Sequence, residues 1–217
     1  MDKKFDAVLF DFDGTFADTG RGIAKCADYA AEYFGLPPLT EKEHRYFVGP
    51  PLYDSFKKMF SLEKDEDIYT AIAKYRECYT AGAMFELDVY EGIEDLIKDL
   101  HESGIKVVIA SSKPANYVDM ILERLGLRKY IDLISCPVND NVKKNKFQLI
   151  SSAVETLGIS KDRAVMVGDR YLDIDGAKQA GVKSIGAAYG YGGKEELVKA
   201  GADYIAESVS DVRKAVF

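Results

Sequence analysis

The chain is poor in the residues and patterns that would staple it, anchor it or bind it to a polyanion. Three of its 217 residues are cysteine, Cys26, Cys78 and Cys136. The number is odd, no two stand as C-x-x-C and no spacing suits zinc, so they read as reduced thiols of an intracellular protein. No apolar run approaches the length that spans a membrane, and the N-terminal one, Ala7–Phe10, stops at Asp11, too short for a signal-peptide core. A soluble, cytoplasmic protein is expected. Positive charge is in deficit: 29 Lys and Arg against 36 Asp and Glu, a net charge of −7. Without a basic stripe, non-specific nucleic-acid binding is excluded, whereas a small anionic ligand is not, because a local site can be positive on an acidic protein. The pattern G-x-x-x-x-G-K-[ST] is absent, and with it an ATP-binding P-loop. There is no internal repeat and no low-complexity segment. Neither histidine, His44 or His101, stands beside the acidic motifs.

The composition, 47% apolar and 30% charged, is that of a globular chain long enough to bury a core without a disulfide or metal. Short continuous apolar runs end in polar tips. Asp6–Asp11 runs into a turn at Gly14, Lys106–Ala110 ends at Ser111, and Arg163–Val167 ends at Gly168-Asp169. Shorter candidates are Ile131–Ser135, Val182–Gly186 and Ala202–Ala206. Runs of this kind suit parallel strands covered on both faces. Between them, Val118, Ile121, Leu122 and Leu125 fall on one helical face before Gly126, and Leu149, Ile150, Ala153, Val154 and Leu157 do so before Gly158. Both glycines stand where a helix end favours a left-handed residue. The alternation predicts an α/β fold, a doubly wound parallel sheet. Residues 16–88 break it with helical patterns alone and no convincing strand. They read as a helical insertion after the first strand, so that residues 1–15 and 89–217 form the α/β core and residues 16–88 a cap able to fold over the strand ends as a lid.

The polar tips carry the chemistry. Asp11 and Asp13 close the first strand, and in extended chain residues i and i+2 point the same way. Asp169 closes the third apolar run, and Asp173 and Asp175 lie where the next helix begins, as ligands or as N-caps. Like charges gathered at buried strand ends require a cation. Three carboxylates form a hard oxygen site suited to Mg²⁺, which readily shares substrate phosphate oxygens. Ser111 is a candidate phosphate-binding or capping hydroxyl. Pro114 suits the first helical position, so the N–H groups near Ser112 would form an anion cradle. Lys146, before the Leu149–Leu157 helix, opposes the helix dipole, which is understandable if it reaches an anion. Lys143 and Lys144 are alternatives.

Taken together, Asp11-Phe12-Asp13-Gly14-Thr15, Ser111, Lys146 and Gly168-Asp169-Arg170 with Asp173 resemble the four ordered motifs of the haloacid dehalogenase superfamily. Phe47-Val48-Gly49-Pro50-Pro51-Leu52, Ala110–Pro114 and Tyr189-Gly190-Tyr191-Gly192 are similar to its phosphoglycolate phosphatase-like or 5′-nucleotidase-like branch. Asp13 resembles the phosphotransfer members; dehalogenating and phosphonate-cleaving members lack that carboxylate. Many relatives have Lys-Pro at the third motif, and a gapless match to that pattern lands on Lys144; relatives without the proline match at Lys146.

The resemblance implies a Mg²⁺-dependent phosphatase acting on a small phosphorylated metabolite. Asp11 would be the nucleophile, forming an aspartyl-phosphate; a carboxylate is ionised at neutral pH without an activating base. Asp13 would give and take protons and offer its backbone carbonyl to the metal, which Asp11, Asp13 and Asp169 would hold with Asp173 orienting them. Ser111 and the amides near Ser112 and Gly14 would hold phosphoryl oxygens, with Lys146 supplying positive charge. In the cap, Arg45 is the candidate substrate contact, ahead of Arg21, Lys57, Lys58 and Arg76, all of which are otherwise solvated charges. The Tyr189–Gly193 loop would line the mouth or be an ordinary turn. A sugar phosphomutase of the same superfamily is the alternative. A receiver-like phospho-acceptor domain would use similar groups but is shorter and lacks the insertion.

Overall fold

The computed structural model describes residues 3–138 and 144–217. Along the chain run β1 (Ala7–Phe10), β2 (Ala17–Asp18), α1 (Gly20–Tyr33), α2 (Glu41–His44), α3 (Leu52–Met59), α4 (Asp65–Thr80), β3 (Asp88–Val89), α5 (Ile93–Glu102), β4 (Lys106–Ile109), α6 (Ala115–Arg124), β5 (Leu133–Ile134), α7 (Lys146–Leu157), β6 (Ala164–Gly168), α8 (Tyr171–Ala180), β7 (Lys183–Ala187), α9 (Gly193–Ala200), β8 (Tyr204–Ala206) and α10 (Val209–Val216). The chain divides into two compact units, residues 1–17 with 89–217, and residues 18–88.

The first unit is built on a six-stranded sheet of order β5-β4-β1-β6-β7-β8. The paired strands are parallel. β1 and β6 lie at its centre, and every residue of both is buried, which is why their sequences show no polar alternation. Ala7, Leu9, Val108, Ala110, Ile150, Ala153, Ala164, Met166 and Ala177 form one face of the core. The chain moves outward from β1 through β4 and β5, then returns to the opposite flank of β1 for β6, β7 and β8. The strand order reverses at β1, and in an open α/β sheet that reversal marks the ligand-binding crevice.

The other unit is helical. Ile23, Cys26, Ala27, Ala30 and Ala31 on α1 and Ile68, Ala71, Tyr75 and Tyr79 on α4 are buried. Phe47, Phe56 and Phe60 add an aromatic cluster, with the Phe56 ring centred 4.9 Å from Phe47 and 5.0 Å from Phe60. Thr40 and Glu43 form a capping box at α2, satisfying two backbone donors that a helix start leaves open.

The structure departs from the sequence expectations locally. The segment read as strand-free begins and ends in β2 and β3, which pair as a two-stranded sheet; two-residue strands are too short to show periodicity. Pro114 precedes the first helical residue, at φ −54° and ψ 138°, and α6 opens at Ala115. Gly126 and Gly158 take the expected left-handed conformation, at φ 69° and 64°.

Candidate active site

Strand register assembles the site. Phe10 of β1 lies opposite Ile109 of β4 and Val167 of β6. The ladder continues to the tips, where Ala110 N–H donates to Phe10 O (2.8 Å) and Asp11 N–H to Val167 O (2.9 Å). Asp11, Ser111 and Asp169 therefore leave three neighbouring strands within about one residue of the same level, at the crevice of the sheet. All three are buried, and Asp169 is fully so.

Asp11, Asp169 and Asp173 each turn an oxygen into one cluster, with the three oxygens within 4.8 Å of one another. Burial, then the charges of Asp173 and Asp11, hold the Asp169 carboxyl well above its ordinary range. Burial likewise lifts Asp173 to about 6 against the pull of Lys146. Unneutralised carboxylates at this separation in a buried site repel strongly, and a divalent cation relieves that repulsion. The donors are all hard oxygens, so the residues fit a metal of the Mg²⁺ kind.

Lys146 reaches the same cluster. Its ammonium lies 2.9 Å from Asp11 Oδ1 and 2.8 Å from Asp173 Oδ1, and donates to the carbonyl of Ala110 (3.1 Å). Burial pulls its pKa down, but the two carboxylates outweigh that and hold it above the ordinary lysine value. The residue stands at the first position of α7, where a cation is locally unfavourable. A capping box offsets this: Gln148 N–H donates to Asn145 Oδ1 (2.9 Å) and Asn145 N–H to Gln148 Oε1 (3.0 Å). Gly176 of α8 lets α7 approach; a Cβ there would lie 2.8 Å from Lys146 Cβ and 3.0 Å from the Phe147 nitrogen. Lys144 is exposed, and Lys143 lies outside the described residues.

Asp13 has a different partner. Its carboxylate accepts from Lys113 Nζ at 2.7 and 3.0 Å, and it is not one of the three clustered carboxylates. Spacing placed Asp11 and Asp13 on one side of the chain, but the turn at Gly14 gives them separate counter-charges. Gly14 itself corrects an expectation. Its N–H donates to Ala17 O (2.8 Å), so that amide is not available to a phosphoryl oxygen. Its role is steric: φ is 85°, and a Cβ would stand 2.4 Å from Asp169 Oδ2, so only glycine lets the turn pass this carboxylate.

The loop after β7 closes over Asp169. Tyr191 N–H donates to Asp169 Oδ2 (2.8 Å), Thr15 Oγ1 to Asp169 Oδ1 (3.2 Å), and Tyr189 OH to Thr15 O (3.1 Å). Arg170 N–H donates to Asp173 Oδ2 (3.0 Å), which ties the start of α8 to the cluster. Sequence reading missed Lys113 and these tethers. Lys113 was visible as part of Ala110–Pro114, and the loop as Tyr189–Gly193, but not the partners either one takes.

Ser111 Oγ accepts from Lys113 N–H (3.4 Å), and Ser112 is half-buried on the same turn. Asp175 lies outside the acidic cluster and is half-buried. Arg45 is exposed in a 3₁₀ turn of the helical unit. Within that unit Arg21 faces Asp88 (3.6 Å), Lys57 and Lys58 lie over the Tyr53 and Tyr46 rings, and Arg76 lies over Tyr75 and Tyr79. His44 pairs with Asp28 (2.9 Å). Among the described residues no helix is long and apolar enough to cross a membrane.

A parallel sheet whose central strand tips carry buried carboxylates, joined by a lysine from a helix start, defines an α/β-sheet site able to hold a cation. Residues 8–187 match the family described as haloacid dehalogenase-like hydrolase, and the chain belongs to that family. The solved structure of a predicted phosphatase from Clostridium acetobutylicum is similar over 98% of both chains, at 39% identity and a TM-score of 0.91. A 5′-nucleotidase from Pseudomonas aeruginosa is 30% identical over 89% of this chain and 87% of its own. The tyrosine-protein kinase PtkA of Mycobacterium tuberculosis is 29% identical over 96% of this chain and 72% of its own. Proteins named pyrophosphatase PpaX and phosphoglycolate phosphatase also match over nearly the whole chain.

Proposed function

We propose that the protein is a Mg²⁺-dependent phosphatase that hydrolyses a small phosphomonoester, of the phosphoglycolate or nucleotide type, through an aspartyl-phosphate on Asp11. The observation that carries this reading is the buried grouping of Asp11 and Asp169, at neighbouring strand tips, with Asp173 and Lys146 from the first turns of α8 and α7. Names of relatives, 5′-nucleotidase and phosphoglycolate phosphatase among them, support the substrate class.

Asp11 attacks phosphorus in line. Asp13 protonates the departing alkoxide and then takes a proton from the water that opens the phospho-enzyme. Ser111 and the backbone near Ser112 orient the phosphoryl oxygens, and Lys146 offsets their charge. Asp11, Asp169 and Asp173, with the Asp13 backbone, would hold Mg²⁺, which supplies charge neutralisation between nucleophile and phosphate. Phosphoryl transfer depends chiefly on positioning and electrostatics, so these groups supply most of the rate. Substrate selectivity is assigned to residues 18–88, with Arg45 as its candidate residue.

The test is phosphate release from a panel of phosphorylated metabolites with Mg²⁺. Asp11→Asn is expected to abolish release while leaving the fold intact; activity within about tenfold of wild type overturns the assignment. Isomerisation of a sugar phosphate with little free phosphate would instead identify a phosphomutase.

A further inference from the structure

We propose that Lys113 is a positioning residue for this reaction, holding the Asp13 carboxylate in place for proton transfer to the leaving oxygen. The inference rests on the function proposed above and extends it to a residue outside the four motifs.

The geometry points to Lys113 in three ways. Its ammonium contacts both oxygens of Asp13, at 2.7 and 3.0 Å. It is itself buried, 8% exposed, so the pair is shielded from the screening that weakens surface ion pairs. Its stem starts from the turn that carries Ser111, and its own N–H donates to Ser111 Oγ (3.4 Å). That turn is anchored on the far side, where Ala115 N–H donates to Pro137 O (2.9 Å) and Tyr117 N–H to Pro114 O (3.1 Å). One short segment thus fixes both a hydroxyl for the phosphoryl group and the partner of Asp13. Lys146 and Lys113, both buried, divide the work: Lys146 contacts Asp11 and Asp173, and Lys113 contacts Asp13.

In the first step the bond from Asp11 to phosphorus forms, the bond from phosphorus to the alkoxide breaks, and the alkoxide takes the proton of Asp13. In the second, water oxygen bonds to phosphorus, the Asp11 oxygen leaves, and Asp13 takes the proton of that water. Asp13 is restored in each cycle and Lys113 keeps its own protons. Without Lys113, the Asp13 side chain would lose the contact that selects one rotamer, and a misplacement of about 1 Å can cost on the order of 100-fold.

The experiment compares two leaving groups in one enzyme preparation. p-Nitrophenolate departs without a proton, whereas a simple alkoxide requires one. For Lys113→Met, kcat/KM is expected to fall about 100-fold on an alkyl phosphate and no more than about fivefold on p-nitrophenyl phosphate. The ratio is independent of the folded fraction, because misfolded enzyme lowers both rates alike. Should the methionine variant not fold, Lys113→Gln is measured in the same way. Lys113→Arg, which retains a two-pronged grip, is expected to recover most of the alkyl phosphate activity. Equal losses on both substrates, or no recovery with arginine, overturn the proposal. Asp13→Asn is measured alongside. A selective alkyl loss there but not in Lys113→Met sinks the role of Lys113 alone. No selective loss in Asp13→Asn removes Asp13 as the acid, and the role of Lys113 with it.

Discussion

Lys146 Nζ lies 2.9 Å from Asp11 Oδ1 although the two residues are 135 positions apart, and both side chains are buried. A buried cation between two carboxylates is held by geometry, and its removal leaves Asp11 and Asp173 facing each other uncompensated. Lys146→Ala is expected to lower kcat/KM by about 100- to 1,000-fold, the scale for loss of one preorganised charge. It should also destabilise the fold by about 3–5 kcal/mol, as when one partner of a buried pair is removed. Lys144→Ala, at an exposed position, should change neither. Steady-state kinetics and urea denaturation on the two variants check this, and the reverse order would move the active-site lysine.

The approach of α7 to α8 gives a second prediction. Gly176→Ala adds a Cβ that would meet Lys146 Cβ at 2.8 Å and Lys146 Cγ at 2.9 Å. Helix propensity alone favours alanine by about 1 kcal/mol. Overpacking costs about 1–3 kcal/mol and should prevail, because the Phe147 backbone nitrogen also blocks the new methyl. The expected result is a lower melting temperature together with reduced kcat/KM, since the residue displaced is Lys146. A stabilised, fully active variant would mean that α7 yields without moving the lysine.

Much of this arrangement was legible in the sequence, for physical reasons. The central strands announced themselves as continuous apolar runs because both of their faces are buried. Each run ended in the residue that the sheet places at its tip, Asp11, Ser111 or Asp169. Lys146 stood out as a cation at a helix start, a position that needs an external reason. What stayed hidden depends on closure between distant segments. Lys113 and Asp13 are 100 residues apart, and no local pattern announces their pairing. The hydrogen bond that occupies the Gly14 amide is set by the turn back to Ala17. The tether from Tyr191 to Asp169 is a backbone bond, and its side chain gives no sign of it. β2 and β3, at two residues each, are shorter than any period that could reveal them.

The acidic cluster predicts a metal-dependent gain in stability that can be read without turnover. Mg²⁺ bound to the native protein and not to the unfolded chain adds about 2.7 kcal/mol at a concentration 100 times its Kd. Wild type should therefore melt at higher temperature as Mg²⁺ is added, and EDTA should reverse the rise. Asp169→Asn removes one of the three clustered oxygens' charges and should abolish most of the shift. Differential scanning calorimetry across a Mg²⁺ series checks this, and an undiminished shift in Asp169→Asn would place the ion elsewhere.

A last prediction concerns acid stability and lies away from the site. Asp203, just before β8, accepts from Lys183 Nζ (2.8 Å), Ser184 N–H (3.0 Å) and Ser184 Oγ (2.9 Å), joining the start of β7 to the segment entering β8. Burial pushes its carboxyl upward, but Lys183 and Ser184 together hold it below the ordinary 3.8. A carboxylate whose folded pKa lies below its unfolded value stabilises the protein fully above the unfolded value. That contribution drains away as pH falls below 3.8 and through the lower folded pKa. Asp203→Ala should cost about 1–3 kcal/mol at neutral pH, because Ser184 N–H, in a buried residue, loses its acceptor. The cost should hold down to about pH 4 and shrink only below it, as the pH falls past the ordinary carboxyl value and through the lower folded one. Urea denaturation of the two proteins at matched pH values measures the difference, and a gap that stays constant into acid would assign the stabilisation to packing instead of charge.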